Sequence, residues 1–72
     1  MLTYEFVEKH GDEYVYCYYP EGDKTAPGKV GIKADGSKRI IEESENDFGK
    51  RYAHHAMKDI DITKKNGTIA WY

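Results

Sequence analysis

Cysteine, proline and long apolar runs are scarce in this 72-residue chain, and each shortage excludes a class of protein. The single cysteine, Cys17, rules out an internal disulfide framework and suits a reducing compartment, so a cytoplasmic chain is expected. With only three histidines beside it, the chain is short of ligands for a protein-only zinc cage. No stretch approaches the ~20 consecutive apolar residues of a membrane span. Met1-Leu2-Thr3-Tyr4-Glu5 has neither the basic start nor the apolar stretch of a secretory signal. A strong excess of one charge is missing too: 11 basic against 13 acidic residues leave a net charge of -2 and a pI near 5.9. That balance argues against general nucleic-acid binding, which needs a basic domain.

Aromatic side chains, by contrast, are plentiful: seven tyrosines, two phenylalanines and one tryptophan. Residues 1–72 are expected to form one small domain. A chain of this length buries roughly 60% of its unfolded surface and gains only a few kcal/mol from its core. Without disulfides, large rings are the visible source of stability, each burying ~150–250 Å² at low rotamer cost. Self-association is a second, compatible source. Charge is uneven along the chain, with six basic and eleven acidic groups before residue 48 and five and two from there on.

Three glycine-containing dipeptides flanked by β-branched and aromatic runs predict three hairpins. Gly11-Asp12 separates residues 2–8 from 14–19, Asp35-Gly36 separates 29–33 from 38–42, and Asn66-Gly67 separates 60–64 from 68–72. Residues 20–28, with both prolines and two glycines, form a loop that cannot join a ladder. Residues 45–59 predict one helix, with Ser44 as N-cap, Glu45 and Asp47 in the first turn, and an apolar stripe of Phe48, Tyr52, Ala53, Ala56, Met57 and Ile60. Gly49 weakens its start. The expected fold is therefore α+β in the order ββββαββ: an antiparallel sheet of three hairpins with one amphipathic helix packed on it.

Register decides which tyrosines face inward. A two-residue loop in the first hairpin pairs Phe6 with Cys17 and Tyr4 with Tyr19. The core face is then Leu2, Tyr4, Phe6, Val15, Cys17 and Tyr19, and Tyr14, Tyr16 and Tyr18 form a stripe on the other. A three-residue loop reverses this, because a one-residue slip flips every side chain. The two-residue loop is the favoured reading. In the middle hairpin, Val30, Ile32 and either Ile40 or Ile41 face inward; in the last, Ile62, Ile69 and Trp71 do.

Chemistry-bearing constellations are few. His54 and His55 are adjacent and point about 100° apart on a helix, so they cannot share a metal as an i, i+4 pair does. No metal and no cofactor is expected. Ser37, Ser44, Thr25, Thr63, Thr68 and Cys17 stand in no arrangement with a base and an orienting acid. Gly28-Lys29-Val30-Gly31 lacks the spacing of a phosphate-binding loop. So short a chain leaves little room for a pocket of ~300 Å³. The chain is expected to be no enzyme, with no small-molecule substrate and no membrane partner. Tyr14, Tyr16 and Tyr18 on an open sheet face would serve protein contact, with another protein or in a homodimer, through that face or a strand edge. The other arrangement has the last hairpin covering the stripe. A second function reading is a nucleic-acid-associated accessory protein using the basic helix face: Lys50, Arg51, His54, His55 and Lys58.

Overall fold

Strand-favouring residues crowd the first forty-two positions, and they build four strands: β1 (Leu2–His10), β2 (Glu13–Pro20), β3 (Gly28–Lys33) and β4 (Lys38–Glu42). One helix, α1 (Arg51–Asp59), and a short strand, β5 (Asn66–Ile69), follow. The computed structural model describes residues 1–47, 49 and 51–70. All neighbouring strands are antiparallel in a five-stranded sheet of order β4-β3-β2-β1-β5. The fold is α+β, and its order is ββββαβ. The helix lies over one face, against β3 and β2 above all.

The first hairpin satisfies both loop registers at once. Its turn is the two-residue Gly11-Asp12, with Gly11 at φ +60 and His10 paired to Glu13. Lys9 pairs with Tyr14 and Glu8 with Val15, as the two-residue loop requires. Val7 is then an extra residue, a β-bulge, and beyond it the pairing slips by one: Phe6 to Tyr16, Glu5 to Cys17, Tyr4 to Tyr18 and Leu2 to Pro20. This slip overturns the expected outward stripe. Tyr16 and Tyr18 are 1% and 0% exposed, and Tyr14 is half-buried. Cys17 and Tyr19, expected in the core, sit half-buried on the helix-free face. The physical reason is burial: without the slip, Tyr4 and Phe6 would face away from Tyr16 and Tyr18, and no single face could hide all four rings. Tyr4, Phe6, Tyr14 and Tyr16 form an aromatic cluster, with ring centroids at 5.7 Å for Tyr4–Tyr16, 5.6 Å for Phe6–Tyr16 and 6.5 Å for Phe6–Tyr14. Such tilted and edge-on pairs add ~0.5–1.5 kcal/mol each beyond the area they bury.

The last hairpin is absent. Asn66-Gly67 lies inside β5, which pairs with β1 (Tyr4 opposite Gly67, Leu2 opposite Ile69), and residues 60–65 form turns instead of a strand. Glycine is needed at 67 for space: a Cβ there would stand 2.5 Å from the Tyr4 hydroxyl oxygen, because the phenol ring lies across the backbone of β5. Tyr18 covers its cross-strand partner Gly28 in the same way, with its ring 2.2 Å from where a Cβ would be. An aromatic ring over a strand glycine replaces the packing that glycine lacks.

The middle hairpin closes through a three-residue loop, Ala34-Asp35-Gly36, with Lys33 N–H donating to the Ser37 carbonyl at 2.8 Å. A bulge at Ile41 leaves Ile40 opposite Val30 and packed on the core, while Ile41 is 41% exposed. The helix starts later than position 45, since Gly49 adopts φ +74, a left-handed conformation that an α-helix does not pass through. Asp47, not Ser44, satisfies its first turn: Oδ1 accepts from Tyr52 N–H at 2.9 Å and Oδ2 from Ala53 N–H at 3.0 Å. Ala53 and Ala56 are fully buried, and Tyr52 and Met57 pack beside them. Phe48, Lys50, Trp71 and Tyr72 lie outside the described residues.

Candidate functional site

The buried tyrosines Tyr16 and Tyr18 bind the fold together. Tyr18 donates to Asp47 Oδ2 at 3.0 Å and accepts from Ser44 N–H at 3.1 Å. Its burial pushes the phenol pKa up to about 12, the Ser44 amide opposes that, and the Asp47 carboxylate adds to it. Asp47 thus joins β2 to the first turn of α1. Ser44, also buried, donates to the Ala26 carbonyl and accepts from Asn46 N–H at 3.2 Å. Tyr16 reaches the other loop, donating to the Lys64 carbonyl at 2.7 Å and holding residues 61–65 against the sheet. Burial raises its pKa as well, with nearby Tyr4 and Asp61 contributing.

Tyr14 is the member of the expected stripe that keeps an accessible surface. It packs, partly buried, against the core cluster, with the Lys9 ammonium 5.0 Å from its ring centroid. Beside it runs a groove of about 150 Å³, floored by Phe6, Tyr14 and Tyr16 and walled by Ile62, Thr63, Lys64 and Lys65. The wall is shaped locally: Asp61 Oδ1 accepts from Thr63 N–H at 2.9 Å and from its hydroxyl at 2.6 Å, closing a tight turn. Those two bonds hold the Asp61 carboxyl below the ordinary aspartate range.

The groove adjoins an open strand edge. β5 pairs with Leu2–Glu5 of β1, and the Lys65 carbonyl accepts Phe6 N–H at 2.6 Å. There the chain turns away. Val7–His10 therefore has β2 on one side and, among the described residues, no strand on the other. Sequence reasoning missed this site because it assigned residues 60–64 to a strand of their own. The signal available was the Asp61-Ile62-Thr63 turn followed by two lysines.

Two further surfaces are polar. Arg51, His54, His55 and Lys58 share a shallow depression of about 230 Å³ on the outer side of α1, so four of the five residues proposed for anion contact come together; the fifth, Lys50, lies outside the described residues. At the turn end of the sheet a cleft of about 440 Å³ is lined by His10, Asp12, Glu13, Lys33, Ser37, Lys38 and Arg39. Its main internal feature is a two-point ion pair, with Arg39 Nε and Nη2 each 2.8 Å from a Glu13 carboxylate oxygen. The guanidinium holds the Glu13 carboxyl below the usual glutamate range. On the helix-free face, burial pushes the Cys17 thiol up, against the lowering influence of Lys29. Among the described residues no three His, Cys, Asp or Glu side chains are grouped to hold a metal ion, and no helix is long and apolar enough to cross a membrane. Compared with known proteins, the chain matches no protein-family model, and no curated protein or solved structure is detectably similar to it.

Proposed function

We propose that this chain is a non-enzymatic, cytoplasmic interaction module that receives an extended segment of another protein along the open edge of β1. The observation that carries the reading is the mismatch in strand length: β1 has nine residues and β5 four. Hydrogen-bonding groups at Val7–His10 are left facing outward beside an apolar groove. Strand addition uses both parts, the edge for main-chain bonds and the groove for a side chain.

Self-pairing is the weaker form of this reading, because every edge is guarded. β1 is bulged at Val7 and carries Glu8 and Lys9 beyond it, β4 is bulged at Ile41 between Lys38, Arg39 and Glu42, and β5 is short. Bulges, charges and short strands oppose edge-to-edge association of copies. A partner with fitting side chains overcomes a bulge that an unselected strand does not.

The test is selection of short peptides on the purified chain, with the bound peptides mapped by amide chemical shifts. The expected shifts fall on Phe6–His10 in a chain that sediments as a monomer. Selected peptides that shift only the amides of β4 or α1, or a chain that is a stable dimer by sedimentation, would overturn the proposal.

A second reading rests on the basic side of α1, where Arg51, His54, His55 and Lys58 line one depression. Contact with a phosphate backbone there would weaken steeply between low and moderate salt, as counterion release requires. Salt-insensitive binding, or none, removes it.

A further inference from the structure

Lys64 and Lys65 line the groove beside β1, and Lys9 lies over the ring of Tyr14, which is part of the same lining. None of the three forms an ion pair with a carboxylate among the described residues. The contrast with Lys24 and Arg39 is plain, since those cations are bonded to Glu5 and Glu13 at 2.6 and 2.8 Å. Between the lysines the lining is apolar: Phe6, Tyr14 and Ile62. A volume of about 150 Å³ is that of a cavity able to admit a benzene ring, so it has room for one leucine- or phenylalanine-sized side chain.

We infer that the segment received at this edge is acidic, with a single apolar anchor flanked by aspartate or glutamate. This rests on the strand-edge reading above and adds the chemistry of the partner to it. The anchor enters between Phe6, Tyr14 and Ile62, in line with the place where β5 leaves β1. The flanking carboxylates meet Lys64 and Lys65 on the loop side and Lys9 on the strand side. Complementary charge sets which segments are accepted and how fast they arrive, while the anchor sets how long they stay. Lysine in the segment is rejected by the same three cations.

The test uses three synthetic eight-residue peptides on the whole chain: one leucine anchor flanked by glutamates, the same with glutamines, and the same with lysines. Binding is followed by titration calorimetry and amide shifts. The glutamate peptide is expected to bind at least tenfold more tightly than the glutamine peptide and to shift Phe6–His10 and Ile62–Lys65. The lysine peptide is expected not to bind. Charge reversal at the exposed lysines, Lys64→Glu with Lys65→Glu, should remove the glutamate peptide's advantage, with an unchanged spectrum elsewhere showing that the fold is intact. Equal binding of glutamate and glutamine peptides at this edge overturns the charge inference and leaves the strand-edge reading standing. Shifts confined to Arg51–Lys58 overturn the inference by placing the acidic peptide on the helix. No binding by any peptide overturns both.

Discussion

Val7 divides the β1–β2 hairpin into two halves built from similar residues and held by different forces. On the turn side, Glu8, Lys9 and His10 are exposed, and their pairing with Val15, Tyr14 and Glu13 follows from the geometry of Gly11-Asp12. On the other side, Leu2, Tyr4, Tyr16 and Tyr18 are all at most 4% exposed, and their pairing follows from the need to put Tyr4, Phe6, Tyr16 and Tyr18 on the helix side together. The two demands differ by one residue, and the bulge absorbs that difference. A turn thus governs register for the few pairs beside it, and burial governs it beyond. The same division produces the candidate site. The core half of β1 is covered by β5, and the tip half has, among the described residues, no strand on that side but a groove.

The largest effect expected from this contrast is Tyr18→Ala against Lys9→Ala. Removing a buried ring with two hydrogen bonds should cost roughly 3–5 kcal/mol, comparable to the whole stability of so small a domain. The tip substitution should stay within about 0.5 kcal/mol. Urea titrations of both variants check it, and equal costs would break the division between the halves. Next comes Gly67→Ala, which forces the Tyr4 ring off β5 and should cost about 1–3 kcal/mol by overpacking. An unchanged melting temperature would mean that the ring does not lie there.

A smaller effect concerns the open end of the sheet. Arg39 depresses the folded-state pKa of Glu13, so the pair's contribution is present above the ordinary glutamate value, about 4.3, and fades as pH falls below it through the folded value. Glu13→Gln should therefore lower the neutral plateau by the pair's contribution and leave the most acid end almost unchanged, so that the acid limb flattens, as measured by melting temperature against pH. The smallest effect on stability, within about 0.5 kcal/mol, is expected from deleting Val7. Phe6–Tyr16 and Glu8–Val15 then become consecutive pairs in a regular ladder. Losing the bulge should instead show as concentration-dependent self-association in sedimentation, because one guard of the edge is gone. Strong destabilisation on that deletion would mean that the bulge supports the core.

Much of the fold was legible, and the errors share a cause. Gly11-Asp12 was placed correctly from local chemistry alone, as was the middle turn to within one residue, because turn preferences act over four or five positions. Asn66-Gly67 carries an equally good turn signature and is no turn. Its glycine answers to the Tyr4 ring, 63 positions earlier in the chain. Ser44 was likewise read as a cap by its position, while the capping carboxylate belongs to Asp47, which is fixed by Tyr18 of β2. Of the candidate site, Tyr14 was named for the wrong reason, and Phe6 and Ile62 were assigned to the core. Of the expected basic helix face, Arg51, His54, His55 and Lys58 line one depression, as helical spacing implies, and Lys50 lies outside the described residues.

What the sequence determined by itself is whatever depends on neighbours in the chain: the four leading strands, two turns, a helix with an apolar and a basic side, and the α+β class. The tertiary structure alone decided which face hides Tyr16 and Tyr18, that β5 pairs with β1, and that Val7–His10 has no second strand beside it among the described residues. Those outcomes are set by competition among distant groups for one small interior, and a one-residue slip, invisible in any local pattern, reverses every side chain in a strand.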